Sequence, residues 1–122
     1  MAPPLVRSAR TEDLDRIVAL EEECFSDPWP RELLAYELTH PGSILLVALP
    51  EEGGPASGYV SFRHALDEAE LLRLGVDPAG RRRGIARALV EEGLRRLRRE
   101  GVEACFLEVR ENNTGAIALY ER

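Results

Sequence analysis

Apolar and polar positions along the chain change period several times, and each change predicts an element. Leu5 to Ala9 reads as a short first strand. Thr11 then suits a helix N-cap, with Glu12 and Asp13 placed favourably against the dipole. Leu14, Ile17 and Val18 recur at helical spacing to about Glu23, and Glu21 takes the next position on that face. Phe25 to Pro30 (FSDPWP) interrupts the pattern, and Pro30 suits the first turn of a second helix over Arg31 to Thr39. Two β-like runs follow, Ser43 to Leu49 and Ala56 to Ala65, joined by the Gly/Pro-rich stretch Pro50 to Pro55. A third strand, Ala69 to Val76, closes at Asp77-Pro78 because proline cannot continue a ladder. Ile85, Leu89, Val90, Leu94 and Leu97 then mark a strong amphipathic helix that opens within Ala79 to Ala86. Arg98 and Arg99 sit favourably at its end, and Gly101 just past it. Glu103 to Arg110 is a further strand, and Asn112 or Asn113 can cap a last helix over Thr114 to Glu121. The order β-α-α-β-β-β-α-β-α predicts a mixed α/β (α+β) layout, with a mainly antiparallel sheet and one strand-helix-strand crossover.

At 122 residues the chain is expected to be one domain, 1–122. Its 44% hydrophobic and 31% charged residues indicate a globular protein. No apolar run approaches the ~20 residues that span a bilayer. Met1 to Arg10 has no apolar core of secretory length, so the expected location is the cytoplasm. Cys24 and Cys105 lack the spacing of a disulfide framework or zinc site, and no metal is expected. All sixteen basic residues are arginine. Residues 1–70 carry a balance of −9 and residues 71–122 a balance of +3. An acidic front and a basic back suit a cationic substrate meeting an anionic cosubstrate, although ordinary solvated faces give the same pattern.

The chemically informative stretch is strand, then Arg81-Arg82-Arg83-Gly84-Ile85-Ala86, then helix. A glycine-containing turn at a helix N-terminus leaves backbone N–H groups unpaired, and the dipole adds partial positive charge. Together they suit phosphate or pyrophosphate. The stretch lacks the three glycines of the dinucleotide fingerprint and the Lys-Ser/Thr pair of a P-loop. Alone, an arginine-rich helix start is more often a solvated surface.

In context it resembles the acetyl-CoA cradle of the GNAT N-acetyltransferases, whose pattern is Arg or Gln, two residues, Gly, one residue, Gly or Ala. Arg81, Gly84 and Ala86 match in order. The preceding Leu74-Gly75-Val76-Asp77-Pro78 is similar to the family's strand end, and Leu107-Glu108-Val109-Arg110, Asn112-Asn113 and Ala116 to Glu121 look like the second half of the signature. Within the superfamily the chain is most similar to ribosomal-protein alanine N-acetyltransferases (RimI-like), through Phe25, Pro28-Trp29, Leu66 to Glu70 and the LEVR and ALYE segments. That family continues with a Leu-Gly-Phe turn and two more strands, so the resemblance implies a domain lacking its last two strands.

The resemblance implies transfer of acetyl from acetyl-CoA to the N-terminal α-amine of an alanine-initiated ribosomal protein. It places Glu108 as general base and Tyr120 as general acid. It implies acetyl-CoA contacts from Leu74, Gly75, Val76, Arg82, Arg83, Gly84, Ile85, Ala86, Arg87 and Asn113, with a bulge or close approach at Gly75. Phe25 and Trp29 would line the peptide groove, although a Pro-Trp pair at a helix entry also suits a hydrophobic staple. The acidic Glu21, Glu22 and Glu23 could attract a basic peptide, although they read first as a solvated helix end. Other acceptors (a small-molecule amine or a lysine) and a non-catalytic acyl-CoA-binding module remain alternatives. Nucleic-acid binding through the arginines is disfavoured by the net charge of −6, and no membrane partner is expected. Exposed sheet edges would invite dimerisation.

Overall fold

The computed structural model describes residues 4–50, 53–80 and 84–107. Five strands form one sheet in chain order: β1 (Leu5–Ser8), β2 (Ser43–Leu49), β3 (Gly58–Ala65), β4 (Glu68–Val76) and β5 (Ala104–Leu107). β1 to β4 pair antiparallel, and β4 pairs with β5 in parallel. Helices α1 (Leu14–Cys24) and α2 (Arg31–Thr39) follow β1, and α3 (Ile85–Arg99) makes the crossover from β4 to β5. The mixed, mainly antiparallel layout expected from the sequence is the one observed. The expected final helix, over Thr114 to Glu121, lies outside the described residues.

β2 is apolar without alternation because helices cover both faces of the sheet. Leu45 and Val47 join Leu14, Ile17, Leu20 and Leu34 of α1 and α2. Leu46 and Ala48 point the other way, into a cluster with Leu89, Val90 and Leu97 of α3. Each fully buried aliphatic side chain contributes about 1.5–3 kcal/mol. Gly93 lets α3 lie close to the sheet, since a Cβ there would enter the Phe62 ring.

One irregularity in β4 sets which way the rest of the strand faces. Ser61 of β3 pairs with Arg73, but its neighbour Phe62 pairs with Leu71, so Leu72 is an extra residue, a β-bulge. Ala69 and Leu71 pack on the α3 side before it, and Leu74 and Val76 do so after it. The added residue reverses the alternation and turns Arg73 and Gly75 toward α1. The bulge therefore falls at Leu72 and not at Gly75. Gly75 is instead a place of close approach, where a Cβ would lie 2.8 Å from Cε1 of Tyr59.

Thr11 does not cap α1. Residues Thr11–Asp13 form a 3-10 turn ahead of the helix, and Asp13 reaches back so that its Oδ2 accepts the Arg10 N–H at 2.7 Å. Arg7 grips the same carboxylate with two bonds, at 2.7 and 3.0 Å. The hydrogen bonds from Arg7 hold the Asp13 carboxyl below the usual aspartate range, against the opposing effect of burial. Pro30 stands immediately before α2 and not within its first turn.

Two outcomes follow from these contacts. Gly93→Ala is expected to destabilise the fold by about 1–3 kcal/mol, because displacing the buried Phe62 ring outweighs the ~1 kcal/mol helix-propensity gain; urea denaturation measures it. Asp13→Asn is expected to lower the melting temperature at neutral pH. A depressed folded-state pKa stabilises above the unfolded value of ~3.9 and is lost as pH falls through the folded value. Melting curves of wild type and variant should therefore converge in strong acid, and a constant gap would contradict the ion pair's role.

Candidate active site

The C-terminal half of β4 forms one side of the site. Residues 68–71 pair with residues 104–107, and Leu107 is the last described residue of β5, whereas β4 runs on to Val76. The turn that follows is held tightly. The Asp77 N–H donates to the Ser57 carbonyl at 2.8 Å, and Asp77 Oδ1 accepts the Ala79 N–H at 2.9 Å, starting the 3-10 turn Pro78–Gly80. Asp77 Oδ2 also accepts from Arg16 of α1 at 2.8 Å, and the same guanidinium donates to the Ala56 carbonyl at 2.8 Å.

Gly84 heads α3 in the left-handed region, at φ 76°, where an L side chain costs about 1–2 kcal/mol. Among the described residues other than its chain neighbours, nothing lies within 4 Å of the space a Cβ would take. Its carbonyl accepts the Ala88 N–H at 3.0 Å, so the N–H groups of Ile85, Ala86 and Arg87 precede the first helical bond. The first turn carries no acidic residue. A fifteen-residue helix thus presents its positive end beneath an open glycine, without a carboxylate of its own competing for the position. Leu74, Gly75, Val76, Gly84, Ile85, Ala86 and Arg87 therefore lie on one strand end and the helix start that follows it. Arg82, Arg83 and Asn113 lie outside the described residues, as do the expected catalytic residues Glu108 and Tyr120.

The other side is built on Glu21, which the sequence offered both as the next position on the apolar face of α1 and as part of a solvated helix end. Glu22 and Glu23 are exposed, but Glu21 is fully buried, on the face it shares with Leu14, Ile17 and Leu20. Its carboxylate accepts the Trp29 N–H at 2.7 Å, the Arg73 Nε–H at 3.0 Å, and further bonds from Arg73 Nη2 and the Tyr59 hydroxyl. Tyr59 is fully buried, and burial pushes its hydroxyl far above the usual range, with the Glu21 bond adding to the effect. The phenol is therefore a neutral donor.

Arg73 Nη2 also donates to the Asp27 carbonyl at 3.1 Å. Its guanidinium carbon lies 3.9 Å from the centroid of the Phe25 ring and 4.9 Å from that of Trp29. The two residues expected to line a peptide groove are thus brought together on one cation, and Trp29 also packs against the cluster beneath α1 and α2. Glu21, Tyr59 and Arg73 were not among the expected site residues. Their available signals were a glutamate in an apolar helix stripe and an arginine inside the apolar run of β4.

Among the described residues, no group of histidine, cysteine or acidic side chains is placed to hold a metal, and no helix is long and apolar enough to cross a membrane. The profile of the acetyltransferase (GNAT) family matches residues 14–122. The chain is 34% identical over 116 residues to the ribosomal protein bS18-alanine N-acetyltransferase of Escherichia coli (strain K12), across 95% of this chain and 76% of that protein. It is 36% identical over 124 residues to the N-alpha-acetyltransferase RimI of Mycobacterium tuberculosis (strain ATCC 25618 / H37Rv), across 97% of this chain and 75% of that protein. The crystal structure of the ribosomal-protein-S18-alanine N-acetyltransferase from Escherichia coli superposes with a TM-score of 0.86 at 31% identity, over 98% of this chain and 75% of that one. The PaiA N-acetyltransferase of Thermoplasma acidophilum, solved with coenzyme A, shares the fold at a TM-score of 0.85 and 21% identity, over 98% of this chain and 88% of that one. The chain, matched along nearly its whole length, belongs to the GNAT family of acetyl-CoA-dependent N-acetyltransferases.

Proposed function

We propose that this protein acetylates the N-terminal α-amine of an alanine-initiated ribosomal protein in the cytoplasm. The observation that carries the acetyl-transfer half is the glycine-headed start of α3, open above Gly84 and without an acid in its first turn. The acceptor rests on the ribosomal protein bS18-alanine N-acetyltransferases at 34% identity along 95% of the chain.

Acetyl-CoA supplies an acetyl group activated as a thioester. Ile85, Ala86 and Arg87 offer backbone N–H groups to its pyrophosphate, and Arg82 and Arg83 add positive charge. Residues 74–76 present backbone to the pantetheine arm, and one N–H among them donates to the thioester oxygen as negative charge develops there. Asn113 contacts the same arm. An N-terminal amine has an unperturbed pKa of ~8 and must be neutral to attack. Glu108 takes its proton, directly or through a water, and Tyr120 returns one to the departing sulfur. Phe25 and Trp29 face the acceptor peptide.

Mass spectrometry of an Ala-initiated peptide panel, with lysine, polyamine and aminoglycoside acceptors alongside, tests the reading. Acetylation confined to the peptide α-amine is expected, and a preference for another amine would reassign the acceptor. Glu108→Gln is expected to lower kcat by about 10²–10⁴ with the Kd for acetyl-CoA unchanged, and an unaltered rate would remove Glu108 from the mechanism. Gly84→Ala is expected to lower the melting temperature and weaken acetyl-CoA binding in calorimetry, since alanine tolerates φ 76° poorly.

A further inference from the structure

The segment 25–30, which joins α1 to α2, has no helix or strand of its own. Two prolines, Pro28 and Pro30, limit its hydrogen bonding to its own backbone. Besides the packing of Trp29 against the cluster beneath α1 and α2, one ion pair grips the segment from outside. Arg73 reaches it from β4 and holds it at three points: the Asp27 carbonyl, the Phe25 ring and the Trp29 ring. Glu21 holds it at a fourth, the Trp29 N–H.

Both charged groups are withdrawn from water, with side-chain exposures of 6% for Arg73 and 0% for Glu21. Each hydrogen bond of this carboxylate therefore goes to a partner inside the cluster. A buried ion pair is rarely a better stabiliser than apolar residues of the same size, so its worth lies in the geometry it imposes. Here one guanidinium lies over two rings, a broad delocalised cation where an ammonium would present only a point charge. Phe25 and Trp29 are only half-buried, so the rings keep one side available to a neighbouring molecule. Arg73 immediately precedes residues 74–76, the strand end on which the thioester is proposed to lie.

We propose that Arg73 is a positioning residue for the acceptor. With its charge balanced by Glu21, its guanidinium acts as a post that fixes the Phe25 and Trp29 rings as a preformed wall beside the reacting end of β4. The proposal rests on the reading of segment 25–30 as part of the peptide groove. Preorganising the wall removes an ordering cost that the acceptor would otherwise bear. Acetyl-CoA, held by β4 and α3, does not depend on the wall. Acceptor recognition and cosubstrate binding should therefore separate on mutation.

Trp29 is the single tryptophan of the chain, so its fluorescence reports on the wall independently of catalysis. Two variants of the full chain test the proposal. Arg73→Lys keeps the charge but loses the guanidinium that both rings share. Glu21→Gln combined with Arg73→Met removes both charges together and leaves no unpaired buried carboxylate. For variants folded by circular dichroism, red-shifted and more readily quenched Trp29 emission is expected. The acceptor-peptide KM should rise on the order of tenfold, the cost of ordering a few side chains on binding, while the KM for acetyl-CoA stays constant. Arg73→Lys should retain more of the wild-type behaviour than the double variant. Unchanged emission and acceptor KM would overturn the proposal, as would parallel rises in both KM values or failure of both variants to fold. A wild-type chain that acetylates no peptide N-terminus would overturn the acceptor reading instead, and the Trp29 emission would still decide whether Arg73 holds the wall.

Discussion

A single extra residue in β4, Leu72, governs which side of the sheet the rest of that strand addresses. Were Leu72 paired in regular alternation, with no bulge, Arg73 would continue the row of Ala69 and Leu71 into the apolar cluster under α3, where a guanidinium has no partner. With it, Leu74 and Val76 take over the apolar row and Arg73 turns to the carboxylate of Glu21. Bulges re-aim side chains next to functional sites. This one does so while keeping the α3 core continuous, so the strand serves a buried core on one face and a polar cluster on the other.

The division of labour between the faces follows. On one, α3 packs through Leu89, Val90 and Leu97 and keeps its N-terminus open at Gly84. On the other, α1 and α2 cover Leu45, Val47 and Tyr59 and hold buried carboxylates, Glu21 and Glu37, each matched to an arginine of the sheet. Glu37 also accepts from Ser43 at 2.9 Å, so α2 is tied to the start of β2 as α1 is tied to β4.

Much of this was legible in the sequence because local signals were unambiguous. The bounds of α2, Arg31 to Thr39, follow from Pro30 on one side and His40-Pro41-Gly42 on the other. Those of β2, Ser43 to Leu49, follow from the same stop and from Pro50. Gly101, at φ 86°, ends α3 as its position suggested. The strand, turn and helix start proposed to hold the cosubstrate were readable as elements for the same reason: they are contiguous in sequence. The cluster of Glu21, Tyr59 and Arg73 was not, because its members lie 38 and 52 residues apart from Glu21 and meet only once the sheet is paired. Glutamate at a helix end ordinarily faces water, and only its tertiary partners make burial tolerable. Of the two readings open at Gly75, a bulge or a close approach, the close approach is the one observed, and the bulge falls at Leu72, which carries no local sign.

Helix α1 touches both halves of the machinery. Arg16 grips Asp77 at the turn leading into α3, and, further along the same helix, Glu21 grips Arg73 beside the aromatic rings. One helix is thus a shared beam beneath the two proposed seats. Linkage is reciprocal: if a molecule on one seat shifts the beam and so alters affinity at the other, the second molecule must alter affinity for the first by the same factor. Order of loading, in such an arrangement, is a property of the helix as much as of either seat.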